Sequence, residues 1–462
     1  MSSLNRFVTL GEISDRIGDG LHGTPAYSEN GEYFFINGNN LLDGEIIFNE
    51  KTKSCSKFEY DKYKKDLSNN TILISINGTI GNLAFYKGEN VILGKSACYI
   101  NIKSDVDKNF IYYALKSSKF QNYIKSQATG STIKNVSLKL LRDYVLELPD
   151  IIQQKRISKI LSTLDDKIHL NNQINQTLES IAQAIFKSWF IDFEPVRAKI
   201  TAKQEGKDPE LAAMCAISGK TQAELDQLTK EDFAELQATA VLFPDELVES
   251  ELGEVPKGWS VQKIKDFGRV ICGKTPSKSI AEYYGNDIPF IKIPDMHHDV
   301  FVLDSFEKLS EKGSNSQANK ILPRGSICVS CIATVGKVII THQPSQTNQQ
   351  INSIVPDLPI YTYFLYFLMG EKERLFHDLA SGGSATLNMN TSTFSNVDIL
   401  MPNSKIIEAY DGVVSRIFDE ILHNLKLSFL LSDMRDTLLP KLLSGEMDVS
   451  DLQSEGDRWL NH

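Results

Sequence analysis

The chain has 462 residues, 41% of them apolar and 23% charged, a balance that fits two to four globular domains. No run of 18 apolar residues occurs, which excludes a membrane-spanning helix; no basic-then-apolar segment opens the sequence, so no secretory signal is expected. Cys55, Cys98, Cys215, Cys272, Cys328 and Cys331 are too few for a disulfide scaffold and fit a reduced, cytoplasmic setting.

The net charge of −10 argues against nucleic acid only until its distribution is read. Residues 201–254 carry 13 acidic and 4 basic side chains and hold most of the imbalance. Residues 51–150 carry 16 basic and 9 acidic ones, so a local phosphate-binding surface stays open.

In chain order, Tyr33–Ile36, Thr71–Ile76, Asn82–Tyr86 and Ala97–Ile102 read as short strands, rich in β-branched and aromatic residues between Asn/Gly breaks. Phe110–Gln127 reads as one amphipathic helix. After Pro149 the period becomes helical. Ile157, Leu161, Leu164, Ile168, Asn171, Asn175, Leu178, Ala182, Ile185 and Trp189 follow steps of three and four. Residues 201–254 form an acidic helical insert, with Thr221/Glu224 and Thr229/Asp232 as helix-start boxes; linker and partner-docking roles both stay open. Then the order repeats: strands over Ile288–Ile293, Ser326–Ile332 and Val335–Thr341, a helix over Tyr361–Asp378, and a second seam. That seam is Val413, Ile417, Glu420, Asn424, Leu427, Leu431, Met434 and Leu438. Residues 445–462 read as a polar tail.

The two halves are a duplication. Leu67, Ile72, Ser75, Thr79 and Gly81 recur as Leu322, Ile327, Ser330, Thr334 and Gly336 at a constant offset of 255. The expected fold is α+β: two similar mixed α/β domains separated by a long antiparallel two-helix coiled coil with a pseudo-twofold internal repeat. The segments are a first domain over 1–149, a first helix and exit over 150–200, the insert over 201–254, a second domain over 255–403, a second helix over 404–444 and the tail. The seam predicts that Asn171 meets Asn424, with Leu164 near Leu431 and Leu178 near Ile417. The antiparallel arrangement would hold the domains roughly 50 Å apart, or roughly 15 base pairs of straight DNA.

No catalytic constellation emerges. Gly94-Lys95-Ser96 misses the phosphate-loop spacing by one residue, since position 89 is Glu. Pro149-Asp150 with Asp165-Asp166-Lys167 imitates a metal-nuclease pattern, but the second part lies on the predicted helix, where a solvated face is the simpler reading. Cys328 and Cys331 have metal-like spacing without a second pair, and their repeat counterparts are the apolar Leu73 and Ile76. His297-His298 reads as a surface loop. No catalytic or metal-binding residue is therefore assigned, and a binding protein is expected.

Each half offers Gly/Ser/Thr/Asn/Lys-rich loops suited to phosphate and base-edge contacts. They are Gly20–Pro25, Asn77–Gly81, Gly94–Ser96 and Gly130–Asn135, then Gly273–Ser277, Thr334–Lys337, Gln346–Gln350 and Gly382–Asn388. The candidate DNA-binding residues are Thr24, Asn77, Thr79, Lys95, Ser131, Thr132 and Lys134 in the first half. In the second they are Lys274, Thr275, Thr334, Lys337, Gln349, Ser384 and Asn388.

On these phrases and their order the sequence resembles the specificity subunits of type I restriction–modification enzymes. The carrying residues are Thr24-Pro25 and Lys274-Thr275-Pro276, Gly130–Asn135 and Gly382–Asn388, and Leu148–Lys155 at the start of the first helix. Trp189–Val196, Leu242–Leu247 and Pro256–Trp259 lie in the linker. One departure is Pro402–Ile407, which lacks the Gln of the first helix start. The resemblance implies a non-catalytic reader of double-stranded DNA, each domain reading one half of a bipartite, asymmetric target. It further implies that the helices set the spacing and dock two modification subunits, which use S-adenosylmethionine. Two ATP-dependent restriction subunits, working with Mg²⁺, would join them; no cofactor is expected on this chain. The alternative is a coiled-coil protein-interaction scaffold with two protein-binding domains, and a self-contained nuclease is a third class.

Overall fold

The computed structural model describes residues 6–130, 134–297, 299–381, 387–447 and 449. The chain divides into two compact units. One comprises Met1–Leu170 with Ser428–His462, and the other Asn171–Leu427.

In the first unit a four-stranded antiparallel sheet has the order Ser14–Asp19, Ala97–Ile102, Thr71–Ser75, Leu83–Phe85. The three residues Ile72, Leu73 and Ile74 are fully buried, because both faces of this sheet are covered. A second, three-stranded sheet places Tyr33–Ile36 between Lys53–Cys55, antiparallel, and Val91–Leu93, parallel. Arg6–Thr9 pairs with Val145–Leu148 and closes the domain. The region expected to be one helix is two, Lys108–Lys116 and Ser118–Gln127. Ser117 ends the first and caps the second, its hydroxyl accepting from the Phe120 N–H.

The second unit repeats this topology. Its four-stranded sheet runs Gly268–Cys272, Ile351–Pro356, Ile327–Ile332, Thr334–Ile340. Tyr284–Ile291 lies between Lys308–Leu309 and a parallel Gln346–Thr347, and Ser260–Lys263 pairs with Asp398–Met401. Here too the expected single helix is split, into Tyr361–Glu371 and Glu373–Ala380. The insert is folded: Ala213, Met214, Leu225 and Ala240 form a small core of their own. Of the two predicted boxes, Thr221/Glu224 is made, with the Thr221 N–H donating to Glu224; at Thr229 only the cap forms, its hydroxyl accepting from the Asp232 N–H.

The long helices are Ile151–Phe190 and Ser404–Leu443, 40 residues each. They run antiparallel within each unit. In the first, Ile157 and Leu161 share a core with Leu439 and Leu442, and Asp165 pairs with Arg435 at 2.5 Å. In the second, the Asn175 amide donates to the Ile421 carbonyl at 3.2 Å, and Asn424 donates to Asn175 Oδ1 at 3.1 Å. Farther along, Trp189, Phe190 and Phe186 pack around Tyr410.

Two seam expectations need correction. The polar rung of Asn424 is Asn175, not Asn171, although all three are buried. The register is therefore about one helical turn away from the one that faced Leu164 with Leu431 and Leu178 with Ile417; these four leucine and isoleucine positions are half-buried. In the second helix the buried stripe also runs at a different phase from the expected seam. Val413 and Met434 are exposed, while Tyr410, Val414, Phe418, Ile421 and Leu425 are buried. A strict 3.5 repeat drifts on a straight helix, and here the helix also packs on its own domain, which selects a wider face.

Candidate nucleic-acid interface

Four loops meet at one end of each four-stranded sheet, because antiparallel pairing brings the ends of neighbouring strands together. Among the described residues five backbone hydrogen bonds tie them, and the second domain repeats each one. Gly20 N donates to Ala97 O at 3.1 Å, as Gly273 N does to Ile351 O at 3.0 Å. Leu21 N donates to Leu93 O at 2.7 Å, and Lys274 N to Thr347 O at 2.9 Å. Ile76 N reaches Ser96 O at 2.9 Å, and Cys331 N reaches Gln350 O at 2.8 Å. Gly78 N donates to Lys134 O, and Ala333 N to Leu387 O, both at 3.0 Å. Val136 N donates to Ile76 O at 2.8 Å, and Met389 N to Cys331 O at 2.9 Å.

The close approach explains the repeated glycines. A Cβ on Gly20 would strike the Leu93 and Gly94 carbonyls, and one on Gly273 the Thr347 and Asn348 carbonyls. Gly81 and Gly336 have φ +93° and +94°, a region that favours glycine, and each lies against the helix that follows, at Gln121 and Glu373.

Most candidate residues come together on these loops. Thr24, Thr79, Lys95 and Lys134 are exposed and Asn77 is half-buried, bridged to Asn135. In the second domain Lys274, Gln349 and Asn388 are exposed, while Thr275 and Thr334 are half-buried. Thr275 donates to Gln349 Oε1 at 2.7 Å, and Asn388 bridges Ile332. Ser131, Thr132 and Ser384 lie outside the described residues. Lys337 departs from the cluster. Its N–H is held by Ser330 Oγ, and its ammonium faces Glu373 at 3.8 Å in a 570 Å³ cleft lined also by Glu179 and Tyr366.

Side chains buttress the loops differently in the two domains. In the first, Ser96 Oγ accepts from Gly38 N and donates to Asn37 Oδ1. In the second, fully buried Gln346 donates to Ser314 and accepts from Gln317, whose amide also donates to the Lys274 carbonyl at 2.8 Å. Asn37, Ser314 and Gln317 were not singled out in the sequence. They lie far from the loops along the chain, and no local pattern marks them.

The catalytic look-alikes have structural partners. Asp150 caps the first long helix through Ile152 N and Gln153 N. Asp165 is held by Arg435, Lys116 and the Tyr113 hydroxyl. Cys328 and Cys331 are buried in a strand, and burial pushes their thiols up to about 12 and about 11. Among the described residues, no three His, Cys, Asp or Glu side chains are grouped to hold a metal ion. His297 lies beside Met296 and Asp299 at the 570 Å³ cleft; His298 is outside the described residues.

Comparison with known proteins gives this duplicated site its context. The type I restriction modification DNA specificity domain matches residues 4–180 and again 256–427. The chain belongs to that family. It is 48% identical over 353 residues to the type I restriction enzyme HindI specificity subunit of Haemophilus influenzae, covering 73% of this chain and 77% of the relative. It is 26% identical over 438 residues to the MjaIX specificity subunit of Methanocaldococcus jannaschii, covering 93% and 87%. In fold it is similar to the S subunit of a type I restriction–modification system from M. genitalium, with a TM-score of 0.52 at 15% identity over 96% of both chains. The chain is thus a specificity subunit of a type I restriction–modification system, the component that recognises DNA sequence. Among the described residues of this specificity subunit, no helix is long and apolar enough to cross a membrane.

Proposed function

We propose that each domain of this specificity subunit reads one half of a split, asymmetric DNA target through the four loops at the end of its sheet. The observation that carries this reading is the duplication of the five inter-loop hydrogen bonds, which present equivalent backbone frames with different side chains. A shared frame with divergent polar tips suits two readers of unrelated half-sites. The long helices then act as the spacer and as docking surfaces for two modification subunits. S-adenosylmethionine and adenine methylation, and the ATP and Mg²⁺ used by two restriction subunits, belong to those partners. The specificity subunit itself supplies no catalytic group, and its setting is the cytoplasm.

The test is a domain exchange. Residues 1–149 are replaced by those of another family member, and modified sites are sequenced in a host carrying the complex. One half of the target should change and the other should persist; a rewriting of both halves would refute modular reading. Lys95→Ala and Lys134→Ala should each weaken binding across all sequences and lower the salt dependence by about one counterion.

A further inference from the structure

The first domain carries a basic, aromatic surface that the four loops do not include. Residues 51–65 hold six lysines (Lys51, Lys53, Lys57, Lys62, Lys64 and Lys65) against Glu59 and Asp61. Five of the six lysines are exposed and Lys65 is half-buried. Among the described residues only Lys64 pairs with a carboxylate, Asp61 at 2.9 Å. Phe58 stands among them at 74% exposure. On the helix Lys57–Tyr63, Phe58 and Lys62 are one turn apart and share a face.

This surface is fastened to the reading loops. Glu59, on the inner side of the helix, accepts from the Ala26 N–H at 2.8 Å, directly after Thr24-Pro25. Tyr27 bridges Cys55, and Ser54 Oγ donates to the Ser28 carbonyl. The corresponding element of the second domain follows Lys308–Leu309 as the helix Glu311–Asn315. Its lysines are neutralised internally: Lys308 pairs with Asp304 and Lys312 with Glu282. Both copies expose a ring here, Phe58 in the first and Phe306 in the second, but only the first surrounds it, among the described residues, with five lysines that have no carboxylate partner; that surplus of positive charge calls for an anionic partner.

We infer that this surface grips the phosphodiester backbone of the duplex flanking the first half-target, with Phe58 against the sugar edge, so that the first domain anchors the complex on DNA irrespective of sequence. The inference rests on the reading of the loops as DNA contacts. Phosphate neutralisation by lysines releases counterions and steepens salt dependence without adding sequence preference. An apolar ring contributes affinity that salt does not screen.

The experiment uses the complex of the chain with its modification subunit, and duplexes that either extend beyond the first half-target or stop at its edge. Lys57→Ala/Lys62→Ala/Lys65→Ala should lower the slope of log affinity against log salt by about 2–3 on the extended duplex. Affinity at low salt should fall about tenfold, and site preference should be retained. On the trimmed duplex, wild type and variant should coincide. Phe58→Ala should weaken binding severalfold with the slope unchanged, and Lys308→Ala/Lys312→Ala should change neither quantity. An unaltered slope in the triple variant overturns the inference, as does a loss of modification-subunit association on size exclusion, which would make the surface a protein interface. If wild type itself shows no sequence preference, half-target reading fails, while the slope difference between variant and wild type still decides the anchor.

Discussion

The two recognition domains share a backbone frame and differ in what holds it. In the first, the strand that runs parallel to Tyr33–Ile36 is apolar: Val91 and Leu93 are buried in a local cluster with Ile36 and Leu41. In the second, the equivalent position beside Phe290 is Gln346, the centre of a buried polar chain through Ser314 and Gln317 to Lys274. One loop system rests mainly on hydrophobic packing, which tolerates small shifts, with Ser96 bonded to Asn37 and Gly38 at its end. The other rests on directional hydrogen bonds, which fix geometry but leave costly unpaired groups when broken. The duplication thus preserved strand pairing while the scaffolding beneath the loops diverged.

Four substitutions test how far that equivalence extends. Gly20→Ala and Gly273→Ala should be the most severe, each costing about 3 kcal/mol, because the added methyl meets backbone carbonyls that cannot move without parting the loops. Thermal denaturation and binding to a target mutated in either half would show whether each change damages only its own half-site. Equal damage to both halves would contradict independent domains.

Gln346→Leu should cost about 2 kcal/mol and relax recognition in the second half only, since it strands the Ser314 and Gln317 partners. Ile92→Leu in the first domain, at the position equivalent to Gln346, should cost about 1 kcal/mol or less, as a volume-conserving apolar exchange at a buried strand position. Urea denaturation of both variants gives the contrast; similar losses would mean that the polar chain does not set the second domain apart.

A smaller effect concerns Asp411, on the second long helix beside the second domain. Burial, and then the neighbouring Asp419, raise its carboxyl to about 6. An ordinary carboxylate titrates near 4, so the folded state favours the neutral form. That contribution is present below about pH 4 and is lost as pH rises through 6. Asp411→Asn should therefore stabilise the protein at pH 7.5 by about 1 kcal/mol, after allowing for its partial solvation, and give no gain at pH 4. Melting curves at the two pH values check the sign.

The smallest effect is expected from Cys328→Val with Cys331→Val. The first domain uses Leu73 and Ile76 at these places, so stability should change by less than about 1 kcal/mol and DNA binding should persist. Stoichiometric zinc in the purified protein, lost on this change, would overturn the packing role.

The sequence left the strands Ser14–Asp19, Gly268–Cys272 and Ile351–Pro356 unmarked, but by itself determined the duplication, several strands of each sheet, the two long helices and the loops that gather at the sheet ends. Those features are written in local periodicity and in residues repeated at a fixed offset, such as Ser75/Ser330 and Gly81/Gly336. The same pairs reappear in space with one role: Ser75 Oγ accepts from Asn82 N, and Ser330 Oγ from Lys337 N. Tertiary structure decided what depends on residues distant in sequence. It chose Asn175 over Asn171 as the rung for Asn424, because the helix faces are selected by the domains they pack on as well as by each other. It turned Lys337 towards Glu373, away from the loops. It also recruited Asn37 and Gln317, 59 and 29 positions from their partners Ser96 and Gln346. A buried hydrogen bond between such residues needs only complementary groups at the right distance, and leaves no period in the chain from which to read it.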